Sequence, residues 1–188
     1  MDIILASASP RRRELLKLIT KNFTAVAIDA DESLDDNISA EDAAAVLSKR
    51  KAQAAAEMYP DSLVIGCDTT VVIDGKVLGK PHDPQQCREF LRLLSGRQHQ
   101  VITGYTVICG DKCVTGKEVT DVSFRTLSDE DIDWYISTGE PFDKAGGYGI
   151  QGKGALLSDG IRGDFYNVVG LPVSALYQVL KTFNIQED

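Results

Sequence analysis

Leu63–Ile73, LVIGCDTTVVI, is an apolar stretch rich in β-branched residues, which predicts a buried strand. The dipeptide that follows it, Asp74-Gly75, is typical of a tight hairpin turn, and Val77-Leu78 then predicts a returning strand. Because a hairpin pairs its strands antiparallel, the sheet built on this segment is not purely parallel.

Further elements are predicted on both sides of this hairpin. Ile3–Ala6 predicts a buried strand, and Ser9 and Pro10 predict the cap and first residue of a helix through Leu18. The other expected elements are a helix over Ala40–Met58, a helix capped by Asp83 and ended by Gly96, strands over Val101–Cys109 and Cys113–Phe124, a helix from Ser128 to before Gly139, and a last helix from Pro172. Helices interspersed with hairpins predict an α/β domain with a mixed sheet.

Composition and charge narrow the class of protein. The 188 residues fit one domain, and the net charge of −8 argues against a general nucleic-acid binder, which needs a basic surface. We expect no signal peptide, and no apolar run approaches the length of a membrane span. The four cysteines form no C-x-x-C pair, so free thiols in the reducing cytoplasm are expected.

Two charged residues interrupt apolar patterns. Asp68 lies within the Leu63–Ile73 strand, where a carboxylate is costly unless it is paired or holds a cation. Lys51 falls on the apolar stripe of the second helix, formed by Ala44, Leu47, Ala54, Ala55 and Met58. The alternatives are an Asp satisfied by backbone groups and a lysine that extends past the edge of the core.

A cluster of arginines is misplaced in the first predicted helix. Arg11, Arg12 and Arg13 occupy its first turn, where the helix dipole favours anions. A bound polyphosphate would relieve that charge, with Ser7 and Ser9 as extra donors. The alternative is a solvated basic turn that pairs with Glu14.

Weaker candidates lie in the predicted loops. Glu32 belongs to the acidic segment Asp29–Asp36, and Lys80 lies in a Gly-Lys-Pro turn; either could be an ordinary surface residue. The Gly-rich segment Lys144–Gly152 suits either close approach of backbone to a ligand or a flexible loop, and Gln151 within it could bind a base edge. Gly163–Pro172 is expected to be a second loop.

These residues together suit triphosphate hydrolysis. Cationic side chains can hold the phosphates, while carboxylates can hold a divalent metal and activate water. Such a site works through positioning and electrostatics, so it requires no Ser or Cys nucleophile.

Five motifs, in order along nearly the whole chain, resemble those of the Maf family of nucleotide pyrophosphatases. They are Leu5–Arg12 (LASASPRR), Gly66–Thr69 (GCDT), Gly79–Pro81 (GKP), Tyr148–Gly152 (YGIQG), and Gly163 with Asn167–Pro172 (NVVGLP). The resemblance implies a single domain over residues 1–188, with an elongated mixed-sheet α/β architecture similar to inosine-triphosphate pyrophosphatases. One departure is Cys67, where the family commonly has Ala.

The resemblance also implies roles for individual residues. It implies that Asp68 is the proton acceptor, and that Glu32 and Asp68 hold a divalent cation, Mg²⁺ or Mn²⁺. Ser9, Arg12, Lys51 and Lys80 are expected to bind phosphate. Arg11, Thr69 and Gln151 resemble the specificity positions of the subgroup that acts on dTTP and UTP. A homodimer is also consistent with the family.

Two other functions stay open at this point. One is hydrolysis of 7-methyl-GTP, which would need a purine pocket, and the other is nucleotide binding without catalysis, as a regulator of septum formation. Strict alternation along a strand also places Asp68 and Thr69 on opposite faces. We therefore expect either a strand end or a bulge between them.

Overall fold

The predicted hairpin strand is the central strand of a single mixed sheet. The computed structural model describes residues 1–35 and 37–185; Asp36, the last residue of the acidic segment, lies outside them. The strands are β1 Ile3–Ala6, β2 Thr24–Val26, β3 Leu63–Ile73, β4 Lys76–Leu78, β5 Gln98–Cys109, β6 Lys112–Phe124 and β7 Ser158–Arg162.

The helices pack on both faces of this sheet. They are α1 Pro10–Leu16, α2 Ala43–Met58, α3 Pro84–Leu94, α4 Asp129–Ser137, α5 Phe165–Val169 and α6 Val173–Lys181. Three short 3-10 segments, Glu140–Asp143, Ala145–Gly147 and Gly152–Leu157, connect α4 to β7. Within the described part of the chain, no helix is long and apolar enough to cross a membrane.

The sheet order is β2-β1-β3-β5-β6-β7, and β4 pairs with the second half of β3. β1 runs parallel to β2 and β3, while β3–β4, β3–β5, β5–β6 and β6–β7 are antiparallel. The predicted α/β class with a mixed sheet is confirmed.

Helix α2 covers one face of the sheet. Ala52 and Ala55 pack with Ile4, Ala6 and Val64. Two strand glycines also lie against this helix, because a Cβ on Gly66 or Gly104 would overlap its backbone. The close approach brings the middle of α2 directly over β3.

The opposite face carries two separate apolar clusters. One joins the first half of β3 to α1 and α6, with Leu63, Ile65, Leu16, Leu176 and Leu180 among its buried members. The other joins the second half of β3 to α3 and α4, with Val71, Ile73, Leu91, Leu94 and Tyr135 among its buried members. β3 therefore belongs to both clusters, and its middle lies between them.

The predicted helix caps are confirmed. The side chains of Ser9, Asp83 and Ser128 accept hydrogen bonds from the backbone N–H groups of Arg12, Gln86 and Asp131, respectively. At α4 the Asp131 carboxylate also accepts from the N–H of Ser128, which completes a capping box. These local hydrogen bonds explain why the starts of α1, α3 and α4 were predictable.

Several predicted boundaries were wrong. Helix α1 ends at Leu16 rather than Leu18, and α2 begins at Ala43 rather than Ala40. Met58 was expected on the buried stripe of α2 but is 64% exposed, because it is the last residue of the helix. The predicted loop Gly163–Pro172 contains helix α5, which starts where the Asp164 carboxylate accepts from the N–H of Tyr166.

Candidate active site

The edge of β3 is open in the middle of the strand. β1 ends at Ala6, opposite Gly66, and β4 pairs only from Leu78, opposite Val71. Between those two points the edge faces a cleft instead of another strand. Ligands of open α/β sheets bind beyond the carboxyl ends of strands, and this cleft lies beyond the carboxyl end of β1.

This gap explains how Asp68 and Thr69 reach one site. The register of β3 against β5 runs without a shift from Val64 to Val72, so neither the expected bulge nor a strand end lies between them. The two side chains do project to opposite faces. Both line the cleft because the gap opens the sheet edge to both faces.

The cleft has a volume of about 510 Å³ and is lined by all the predicted site residues except Ser7, which instead accepts a hydrogen bond from Arg12. This volume is in the usual range for small-molecule sites. The predicted residues along its walls are Ser9, Arg11, Arg12, Glu32, Lys51, Asp68, Thr69, Lys80 and Gln151. Residues that are up to 142 positions apart in sequence therefore meet at one place.

Lys51 links the two carboxylates on the α2 side of the cleft. Its Nζ lies 2.5 Å from Asp68 Oδ1 and 2.8 Å from Glu32 Oε1. Burial by itself would lower the pKa of Lys51, but the two carboxylates outweigh burial and raise it. The hydrogen bond from Lys51 in turn lowers the pKa of Glu32. The alternative of a lysine extending past the core edge is wrong, since Lys51 points into the cleft.

Arg12 joins three parts of the chain on the other side of β3. Its Nε donates to the Gly170 carbonyl at 2.8 Å, and Nη2 donates to Thr69 Oγ1 at 2.9 Å. Nη1 donates to the Cys67 carbonyl and to Ser7 Oγ, at 3.0 and 3.3 Å. Four of the five guanidinium hydrogens thus have partners among the described residues, which leaves one for a ligand.

Arg11 forms an exposed ion pair across the cleft. Its Nη1 lies 3.3 Å from Asp143 Oδ2, and Lys144 Nζ lies 2.6 Å from the other oxygen of that carboxylate. Glu14 pairs instead with Lys17, so the alternative of a basic turn neutralised by Glu14 is wrong. An anion entering the cleft would compete with Asp143 for Arg11.

The Gly-rich segment packs against the sheet instead of forming a flexible surface loop. The N–H of Gly146 donates to the Gly79 carbonyl at 2.9 Å, and Gly146 has a φ of 69° where a side chain would overlap Val71. Tyr148 is buried, and its hydroxyl lies 2.6 Å from His99 Nε2. This packing presents the exposed side chain of Gln151 at the cleft, which the exposed Lys80 also lines.

Cys67 is a packing residue next to Asp68. Burial raises the pKa of its thiol to about 11, so the thiol stays neutral. All four cysteines are free, as predicted. Cys67 therefore supplies no activated thiol beside Asp68.

Two buried residues beneath the site had no predicted role, although Asn167 is the first residue of the NVVGLP motif. Thr103 on β5 lies 2.9 Å from Thr69 Oγ1, and Asn167 on α5 contacts Thr103. Threonine is common in strands, so the sequence does not mark Thr103, and only its pairing with Thr69 in the sheet shows that it lies beneath the site. An Asn in a predicted loop likewise breaks no local rule.

The carboxylates of Glu32 and Asp68 suit a divalent cation that takes its remaining ligands from the phosphates of a substrate. Within the described residues, no group of three or more His, Cys, Asp or Glu side chains could hold a metal ion alone. Glu32 and Asp68 nevertheless converge on one point, the ammonium of Lys51. Mg²⁺ is commonly held by one or two carboxylates together with substrate phosphates, and this pair suits that arrangement.

The fold is a mixed α/β sheet, and its cleft combines paired carboxylates with several cationic side chains. These features define a class of protein that binds phosphorylated ligands. The fold is similar to that of the Ham1 protein of Staphylococcus aureus, with a TM-score of 0.60 at 16% identity, covering 97% of this chain and all of that one. At 16% identity this similarity shows a shared fold and nothing about function.

The family follows from the sequence comparison. Residues 2–183 match the family described as Maf-like protein, and the chain belongs to that family. A relative from Bacillus velezensis, named dTTP/UTP pyrophosphatase, is 51% identical over 98% of this chain and 97% of its own length. A Bacillus cereus protein of the same name is 48% identical over 97% of this chain and 96% of its own length.

Proposed function

We propose that this protein hydrolyses dTTP and UTP to the nucleoside monophosphate and pyrophosphate. The observation that carries the proposal is the placement of Asp68, a carboxylate in the open gap of β3, in a cleft lined by Arg11, Arg12, Lys51 and Lys80. The names of its close relatives support the same reaction.

Asp68 is the proposed proton acceptor. A water molecule beside its carboxylate loses a proton to it and attacks the α-phosphate, and pyrophosphate leaves. Lys51 holds this carboxylate in the cleft, while Ser9, Arg12, Lys51 and Lys80 bind the phosphates. A divalent cation, Mg²⁺ or Mn²⁺, held by Glu32, Asp68 and the phosphates, would offset negative charge on the triphosphate.

Arg11, Thr69 and Gln151 are the proposed specificity residues. Uracil and thymine present two carbonyl acceptors on either side of one N–H donor. The amide of Gln151 and the hydroxyl of Thr69 can complement such an edge. A site that pairs its polar groups with the substrate rejects analogues that leave those groups unpaired.

A nucleotide panel tests the proposal. Pyrophosphate release is measured for dTTP, UTP, CTP, ATP, GTP and 7-methyl-GTP, each with Mg²⁺ and with Mn²⁺. The proposal expects dTTP and UTP to have comparable kcat/KM values, well above the others. A best rate with 7-methyl-GTP would refute the subgroup, and binding of dTTP without any pyrophosphate release would favour the regulator.

Two further expectations belong to the same proposal. We place the protein in the cytoplasm, where its free thiols would stay reduced. The homodimer implied by the family is tested by light scattering coupled to size-exclusion chromatography.

A further inference from the structure

The Thr69 hydroxyl belongs to a chain of hydrogen bonds that runs from the cleft into the protein. Arg12 Nη2 donates to Thr69 Oγ1 at 2.9 Å, and Thr69 Oγ1 lies 2.9 Å from Thr103 Oγ1. Thr103 Oγ1 in turn lies 3.0 Å from the backbone carbonyl of Asn167. Thr103 and Asn167 are both fully buried, so bulk water does not compete for these groups.

The direction of each hydrogen bond follows from what each group can donate. A carbonyl oxygen only accepts, so the single hydroxyl hydrogen of Thr103 goes to Asn167. Thr103 therefore has no hydrogen left for Thr69, and Thr69 must donate to Thr103. Thr69 Oγ1 also accepts from Arg12, which leaves it one lone pair and no hydrogen for the cleft.

Asn167 fixes this direction, and its own side chain is held by three hydrogen bonds. The Asn167 side-chain amide donates to the Val101 carbonyl at 3.0 Å and to Thr120 Oγ1 at 2.9 Å. Its Oδ1 accepts from the N–H of Thr103 at 3.1 Å. The Asn167 backbone carbonyl consequently stays in place to receive the Thr103 hydrogen.

We propose that Thr103 and Asn167 are positioning residues that make Thr69 a hydrogen-bond acceptor toward the cleft, and that they thereby select a base that carries a hydrogen on its ring nitrogen N3. Uracil and thymine carry a hydrogen on N3, whereas N3 of cytosine is an acceptor that would face another lone pair. This inference rests on the proposed function, because it assigns the base that Thr69 meets.

The test compares UTP with CTP in wild-type protein, Thr103→Val and Thr103→Ser. Valine keeps the shape of threonine but removes the hydroxyl, which frees the Thr69 hydrogen to turn toward the cleft. We expect the ratio of kcat/KM for UTP to that for CTP to fall at least about 10-fold in Thr103→Val. In Thr103→Ser, which keeps the hydroxyl, the ratio should stay within about 3-fold of wild type.

Loss of packing alone would slow both nucleotides together and leave the ratio unchanged. An unchanged ratio in Thr103→Val, or an equal fall in Thr103→Ser, would overturn the inference. Should Thr103→Val fail to fold, Thr103→Ala replaces it with the same expected ratio. If wild-type protein releases no pyrophosphate from UTP, the proposed function itself is wrong, which is a separate outcome.

Discussion

At the scale of single residues, the Asp68–Lys51 pair explains how a charge is tolerated in an apolar strand. Both side chains are largely buried, at 14% and 15% exposure, and the ammonium lies 2.5 Å from the carboxylate. A buried ion pair is costly to break, because removing one partner leaves the other charge uncompensated. The more exposed Glu32 gives Lys51 a second carboxylate.

Replacing Lys51 should therefore disable the site. In Lys51→Met the two carboxylates face each other without a cation, and the phosphates lose a positive contact. We expect kcat/KM for dTTP to fall about 10²-fold and binding of a non-hydrolysable triphosphate to weaken in calorimetry. The control is Lys49→Met, an exposed lysine on the same helix that does not line the cleft. Equal activity in the two variants would remove Lys51 from the site.

At the scale of elements, the sequence was sufficient to predict those turns, strands and helix starts that neighbouring residues determine. The Asp74-Gly75 turn, the apolar β3 segment and the caps at Ser9, Asp83 and Ser128 were all predicted from neighbouring residues and are confirmed. What could not be predicted depends on distant partners. Strand β2, three residues long, exists because it pairs with β1, and β7 because it pairs with β6.

The contact between α2 and the sheet can be tested at a glycine. Because a Cβ on Gly104 would overlap the backbone of α2 at Ala44, Gly104→Ala must push the helix off β5. We expect a loss of about 3 kcal/mol in the free energy of unfolding, measured by urea denaturation. Lys51 should then move away from Asp68, so activity should also fall.

Gly160→Ala is the matched control for this strand glycine. Gly160 lies in β7 with no heavy atom near the added Cβ, so the change should stay within about 0.5 kcal/mol. If Gly104→Ala were as stable as Gly160→Ala, the close packing of α2 would be wrong.

At the scale of the whole molecule, the cleft lies at the open middle of β3, where two apolar clusters flank the strand on one face and α2 covers it on the other. Asp68 and Lys51 could be singled out from sequence because they break apolar patterns. Their common location could not, because it depends on where β1 stops and β4 starts. Thr103 gave no sequence signal, and Asn167 belonged to the NVVGLP motif without a predicted role, since the roles of both come from contacts across the fold.

The buried His99 should make global stability depend on pH. Burial lowers the pKa of its imidazole from 6.5 to about 4, because the charged form is poorly solvated next to Phe124 and Tyr148. The unfolded chain binds the proton more readily, so stability is fully present above pH 6.5 and falls as the pH drops toward 4. Between pH 6.5 and 5 we expect a loss of about 2 kcal/mol in urea denaturation.

The two histidines of the chain provide the comparison. In His99→Gln the loss of unfolding free energy attributed to His99 should disappear. His82→Gln, at an exposed position, should keep that loss. A persistent slope in His99→Gln would assign the effect to other groups.

The most direct test of the central claim is the turnover of dTTP by Asp68→Asn. Asparagine keeps the size of the side chain but does not accept the proton from the attacking water. With thermal unfolding showing an intact fold, pyrophosphate release should fall by about 10²-fold or more in kcat. A folded Asp68→Asn protein that releases pyrophosphate at a near-normal rate would contradict the assignment of Asp68 as the proton acceptor.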